Sequence, residues 1–207
     1  MAIASLNKLT VPLTGQTNPS QGLLMPKLKY RFRVQLYGFG VSSQTTEITK
    51  QVMDCTRPDV SFDQIVLDVY NSRIKMAGKH TWADITLKVR DDVSNEVSRI
   101  VGEQTQKQFD FFEQASAASG IDYKFTMVIE ILDGGNGAYE PTILEGWELT
   151  GCYLNKVTYQ GGDYKANDPL DIAMTISYDN AIQTSQGGNN PLSQLAGRTV
   201  RAIATGG

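Results

Sequence analysis

Alternation of apolar and polar positions dominates the chain from residue 30 onward and predicts strands. Tyr30, Phe32, Val34 and Leu36 alternate with Arg31, Arg33 and Gln35 in a first strand closed by Gly38 and Gly40. Ile48 and Val52 alternate with Glu47, Thr49 and Gln51 in a second, which Pro58 interrupts. Ile65, Leu67 and Val69 oppose Gln64, Val66 and Asp68 in a third, leading into a polar turn at Asn71 and Ser72. After Asp84, Ile85, Leu87 and Val89 alternate with Thr86, Lys88 and Arg90, the pattern of a half-buried strand. Asp91 and Asp92 then offer acceptors to the free N–H groups of a helix beginning near Val93. Val93, Val97, Ile100, Val101, Phe109, Phe112 and Ala115 fall at helical spacing, so one face of that helix can cover a sheet. Gln104, Thr105 and Gln108 weaken the stripe, Gly102 marks a break or kink, and Gly120 is the expected stop. Tyr123, Phe125, Met127, Ile129 and Ile131 make the strongest strand. Residues 142–159, carrying Trp147, Leu149, Tyr153 and Val157, continue between glycine turns, and Ile172, Met174, Ile176 and Tyr178 close the series. The pattern amounts to about seven strands and one helix.

The ends differ from this middle. Residues 1–26 hold Pro12, Gly15, Pro19, Gly22 and Pro26 without a sustained period, and residues 181–207 are polar and glycine-rich. They are expected to be arms on one domain spanning 27–180, with the tail gaining order by packing on another subunit. At 207 residues and 41% hydrophobic composition, that middle can bury a core of its own. Nineteen basic against twenty-two acidic residues give a formal charge of −3, which argues against holding nucleic acid by charge neutralisation. No stretch approaches the roughly 20 apolar residues that span a bilayer, and the N-terminus lacks the apolar run of a signal peptide. A soluble protein made in the cytoplasm is expected, with Cys55 and Cys152 as two buried thiols.

Candidate chemistry is sparse. The only histidine, His80, lies in the expected turn Gly78-Lys79-His80-Thr81, and nothing in its spacing supplies an orienting partner for a cysteine nucleophile. One histidine and two distant cysteines match no zinc spacing, so no metal or other cofactor is expected. The glycine clusters at 134–137 and 161–162 lack the helix and the Gly-Lys-Ser/Thr that a phosphate loop needs. Asp91 and Asp92 are capping residues rather than an acid–base pair. The aromatics of the first strand face away from its arginines, unlike a nucleic-acid stacking platform. Trp82 and Trp147 read as core or interface anchors.

The stretch 70–92, YNSRIKMAGKHTWADITLKVRDD, resembles the central signature of the tail tube proteins of contractile-tailed bacteriophages. The matching positions are Asn71, Arg73, Ile74, Ala77, Gly78, Thr81, Trp82, Asp84, Asp91 and Asp92. A second match is Leu149-Thr150-Gly151-Cys152-Tyr153, followed by the strand ending at Asp179. The resemblance covers roughly residues 27–180. It implies a mainly β (α+β) fold, an antiparallel β-sandwich or half-barrel with one flanking helix, and a structural role rather than an enzymatic one. It also implies subunits joined into homohexameric rings, stacked as the inner tail tube of a virion and assembled in the bacterial host cytoplasm. The implied partners are further copies of the chain, a tail sheath protein, a baseplate or tube initiator and a tail terminator, with no membrane.

A conduit for viral DNA should have a polar, base-poor lumen, because a small attraction per subunit would sum to arrest over many copies. The lumen candidates are Glu47, Thr49 and Gln51, or Asp171, Thr175, Ser177 and Asp179. A type VI secretion needle subunit or a tail terminator is the nearest alternative. A soluble β-sandwich binding module or small hydrolase is a more distant one.

Overall fold

The computed structural model describes residues 5–6, 23–24, 26–41, 46–134, 141–165 and 167–185. In chain order the elements are β1 (Ser5–Leu6), β2 (Leu23–Leu24), β3 (Phe32–Tyr37), α1 (Thr46–Gln51), β4 (Val52–Cys55), β5 (Val60–Val69), β6 (Ser72–Trp82) and β7 (Ile85–Arg90). Then come α2 (Glu96–Gln108), β8 (Phe109–Asp110), β9 (Ala115–Ser116), α3 (Gly120–Tyr123), β10 (Phe125–Leu132), β11 (Ile143–Tyr159), β12 (Asp171–Ser177) and β13 (Asn180–Ser185). All pairings are antiparallel. The main sheet has seven strands in the order β3-β10-β11-β12-β7-β4, with β13 also on β11. The fold is mainly β with a flanking helix, as the alternation predicts.

One strand serves both halves of this sheet. The first part of β11 lies between β10 and β13, and its second part pairs with β12. The change of partners falls at Gly151, whose φ of +70° sits between the register pairs Met127–Leu149 and Phe125–Cys152. The extra residue there is a bulge that bends the strand and turns both Leu149 and Cys152 inward despite their odd spacing. Around the bend, Leu36, Leu87, Met127, Ile129, Met174 and Ile176 fill one core.

Helix α2 covers that core through Val97, Ile100, Val101 and Gln104, the i, i+3, i+4, i+7 stripe of an amphipathic helix. The polar positions that weaken the stripe on paper are fastening points. Gln104 is fully buried, donates to the Tyr123 carbonyl at 2.7 Å and accepts from Gly40 N at 2.9 Å. Gln108 donates to the Leu154 carbonyl and accepts from its N–H, closing part of the β11 edge. The helix runs unbroken through Gly102, contrary to the expected kink. It ends at Gln108 instead of continuing to Gly120, because Phe109 is extended and Asp110 accepts from Phe112 N in a tight turn. Gly120 starts α3 rather than stopping α2, and Ser119 and Asp122 form a capping box there.

Three further expectations change. Residues 46–51 are helical, not a strand: Ile48 and Val52 are four apart, a spacing that suits both periods, and Ile48 is buried. Ser72 and the stretch Gly78 to Thr81, expected to be turns, belong to the strand β6. The N-terminus of α2 is Glu96 rather than Val93, which is exposed, and the N-cap Asn95 is left-handed without a side-chain bond. Most of residues 1–26 and all of 186–207 lie outside the described residues; within the first stretch, β1 pairs with β2.

Candidate functional site

Residues 60–82 form a long two-stranded hairpin in which every position from Val60 to Ala77 is exposed. The register pairs Ile65 with Met76 and Leu67 with Ile74, and with Val69 they make one apolar face whose side chains remain 44–51% exposed. The opposite face carries Gln64, Asp68, Arg73 and Lys75, with Arg73 and Asp68 bonded at 2.8 Å. Removing the remaining exposure of the apolar five is worth about 1 kcal/mol each, on the order of 5 kcal/mol together. An isolated two-stranded hairpin is marginal in water, and among the described residues nothing covers this face.

The root of the hairpin is anchored. Trp82 packs partly buried against the core, with its ring 5.7 Å from that of Tyr178. His80 stands on strand β6 beside Trp82 and Phe62, not in a turn. Gly78 lies at the register shift, where a Cβ would come within 3.1 Å of the Asp63 carbonyl. Just past the root, Asp84 accepts from Ser177 Oγ at 2.7 Å and Asn155 Nδ2 at 2.9 Å, tying the arm to β11 and β12.

The motif residues thus divide into two groups. Asn71, Arg73, Ile74, Ala77, Gly78, Thr81 and Trp82 belong to the arm. Asp84, Asp91, Asp92, Gly151 and Cys152 belong to the body. Asp92 accepts from Val97 N at 3.2 Å, and its bond from the Ser94 hydroxyl holds its carboxyl below the usual range. Asp91 bonds only the next backbone N–H among the described side-chain contacts, so the cap is Asp92 alone. The sequence pattern missed Glu145, a buried carboxylate that gathers Lys27, Arg57, Trp147 Nε1 and Gln183. The bond from Lys27 holds its carboxyl below the usual range. Its neighbours come from four separate segments, which no local pattern reveals.

The two halves of the sheet present outer faces that differ in how many bases they carry. Asp171, Thr175 and Ser177 share a face with Lys88, Arg90 and Lys156, and Asp54, paired with Lys88, adds a second carboxylate, so three bases crowd the β12–β7 part of this face. Asp179 lies beyond β12, bonded to Lys124 at 2.6 Å. Glu47, Thr49 and Gln51 fall on the short helix α1 and cannot form a strand face. The outer face of β3, β10, β11 and β13 carries Gln35, Thr126, Val128, Thr150 and Thr184, with Arg33, Glu130 and Glu148 as its charges. Arg33 is bonded to Glu130 at 2.6 Å, which leaves Glu148 to set the sign.

Among the described residues no catalytic grouping comes together. Among the described residues no cluster of three His, Cys, Asp or Glu side chains is placed to hold a metal. Cys152 is buried and Cys55 half-buried, both as free thiols, and burial pushes each up to about 12. No helix among the described residues is long and apolar enough to cross a membrane.

No family model matches the sequence, and neither does any curated protein. Solved structures do match in three dimensions. The tube terminating cap of the anti-feeding prophage superposes with a TM-score of 0.57 at 17% identity, over 79% of this chain and 94% of the cap. A chain of the sheath–tube complex of an extracellular contractile injection system, PVC, in its extended state gives 0.54 at 20% identity, over 77% and 92%. The sheath/tube terminator of the same system gives 0.53 at 18%, over 78% and 98%. The chain has the fold of tube and terminator subunits of contractile injection systems.

Proposed function

We propose that the chain is a structural, non-enzymatic subunit that assembles into stacked hexameric rings, forming a hollow tube inside a contractile sheath. The observation that carries this reading is the pair of sheet edges, β3 and β13, of six residues each, left unpaired among the described residues and flanking a four-stranded half-sheet. Pairing β3 of one copy with β13 of the next removes both exposed edges and continues the sheet around a ring. Six copies would contribute about 24 strands. At about 4.8 Å per strand that is a circumference of roughly 115 Å, or roughly 37 Å across, and strand tilt widens it further. Such a bore admits a nucleic-acid duplex.

Of the two outer faces, the one on β3, β10, β11 and β13 suits a bore, since its single guanidinium is neutralised and Glu148 repels phosphate. The face holding Asp171, Thr175 and Ser177 carries Lys88, Arg90 and Lys156 and is assigned away from the bore. Residues 27–180 together with β13 form the wall, and the stretches beyond serve as straps between subunits or contacts with sheath, initiator or terminator. The cargo in this reading is viral DNA, passing without specific binding through the tail of a virion. Negative-stain images of the purified protein test the assembly: hollow filaments of uniform width support it. Single closed rings that do not stack favour a terminator, and a monodisperse monomer at every concentration refutes assembly.

A further inference from the structure

The tip of the hairpin is a two-residue turn with an unusual residue in its first central position. Tyr70 is fully exposed and has a φ of +46°, a conformation that glycine or asparagine adopts cheaply and a bulky aromatic residue does not. Strain of this kind persists where something holds the residue, yet no described part of the same chain touches a side chain that is wholly in solvent. The arm also carries it away from its own body: the ten residues of β5 span on the order of 33 Å. Among the described residues nothing meets Tyr70, which leaves it open to a second copy of the chain.

A matching cavity exists on the same chain. Strands β3 and β4 are the two ends of the bent sheet, and the seam between them opens as a cleft of about 290 Å³. Phe32, Ile129 and Ile131 line it, with Lys27, Lys29 and Arg57 as cations and Asp54 as a carboxylate; Lys27 and Arg57 are paired with Glu145. At roughly 30 Å³ for each water it holds about ten heavy atoms, somewhat more than a tyrosine side chain needs. Apolar walls suit the body of the ring, and cations close to an aromatic face are attracted to it. A contact between two different patches of one chain is the heterologous kind, which propagates from copy to copy.

We propose that Tyr70 of one copy inserts into the cleft between β3 and β4 of the next, as the knob that sets the position of the hairpin against its neighbour. This rests on the self-assembly reading above and specifies a contact within it. The knob needs the ring, and the turn does not: Tyr70→Gly relaxes the backbone while removing the side chain, so folding and assembly should respond in opposite directions.

The test combines that variant with a cross-link. In Cys55→Ser protein, Tyr70→Cys and Lys29→Cys together should give a covalent ladder of two or more chains on mild oxidation of assembled material, and either substitution alone should not. Tyr70→Gly should melt no lower than wild type but need roughly tenfold more protein to assemble, whereas Tyr70→Phe should assemble as wild type does. Assemblies that form with no ladder, or Tyr70→Gly protein that assembles at the wild-type concentration, overturn the knob and leave the tube reading standing. Wild-type protein that stays monomeric overturns both.

Discussion

Replacing Gly151 by alanine should loosen the corner at which β11 passes from one half of the sheet to the other. Its φ of +70° costs an L-residue about 1–2 kcal/mol. A Cβ at this position would stand 2.1 Å from Oδ2 and 2.6 Å from Cγ of Asp179, so the carboxylate has to swing away. In doing so it gives up its bond to Lys124, an exposed pair worth at most about 0.5 kcal/mol. The sum is about 1–3 kcal/mol, or a fall in Tm of roughly 3–10 °C for a chain of this size. Urea and thermal unfolding of Gly151→Ala, Asp179→Ala and the double variant measure the parts. Removing Asp179 first should recover about 0.5–1 kcal/mol of the alanine cost. Gly151→Asn, which tolerates the backbone conformation but keeps the clash, should fall between glycine and alanine. A Gly151→Ala protein as stable as wild type, or a cycle with no coupling, would refute the account of the corner.

Two other outcomes follow from the same structure. Asp84→Ala removes the acceptor of two bonds that tie the hairpin root to β11 and β12 and should cost about 1–2 kcal/mol in urea unfolding, with Asp84→Asn losing less; an unchanged midpoint would show that the root is held elsewhere. Alkaline stability should also decline. Burial pushes the Cys152 thiol from 9.0 and the Tyr178 hydroxyl from 10.0 up to about 12, so their contribution is complete below pH 9 and is lost as the pH climbs toward 12. For Cys152 the loss is on the order of 4 kcal/mol by pH 12. Urea midpoints between pH 8 and 11 should therefore fall less steeply in Cys152→Ala protein, and parallel curves would exclude the buried thiol as the cause.

Much of the body was legible because its strands bury one face: Phe125, Met127 and Ile129 point inward and Thr126 and Val128 outward, which is what alternation records. The first strand of the arm was legible too, but the second was not, although Ile74 and Met76 alternate with Arg73 and Lys75. A hairpin exposed on both sides needs no polar face, and its charges resemble those of a turn. Helix α1 was misread because two apolar residues four apart cannot separate the two periods. The end of α2 was hidden by Phe109 and Phe112, which continue the helical spacing while the chain has already turned at Asp110. Gln104 and Glu145 were beyond reach for a different reason: a buried polar side chain is explained only by partners far away in sequence. The motif at 149–153 marks the bent strand, so its resemblance reports a corner in the wall rather than a binding group.

Among the described residues, an arm of two strands leaves a row of unpaired backbone groups along each outer margin as well as an uncovered apolar side. A free copy of the chain therefore holds a template that any extended segment can join, its own copies included. In the proposed tube, growth onto an existing end would hide that template at once, whereas a concentrated pool would leave it open to misjoined, non-tubular fibres. On that reading, keeping the free subunit scarce and supplying a seed would protect the pathway better than any change to the core.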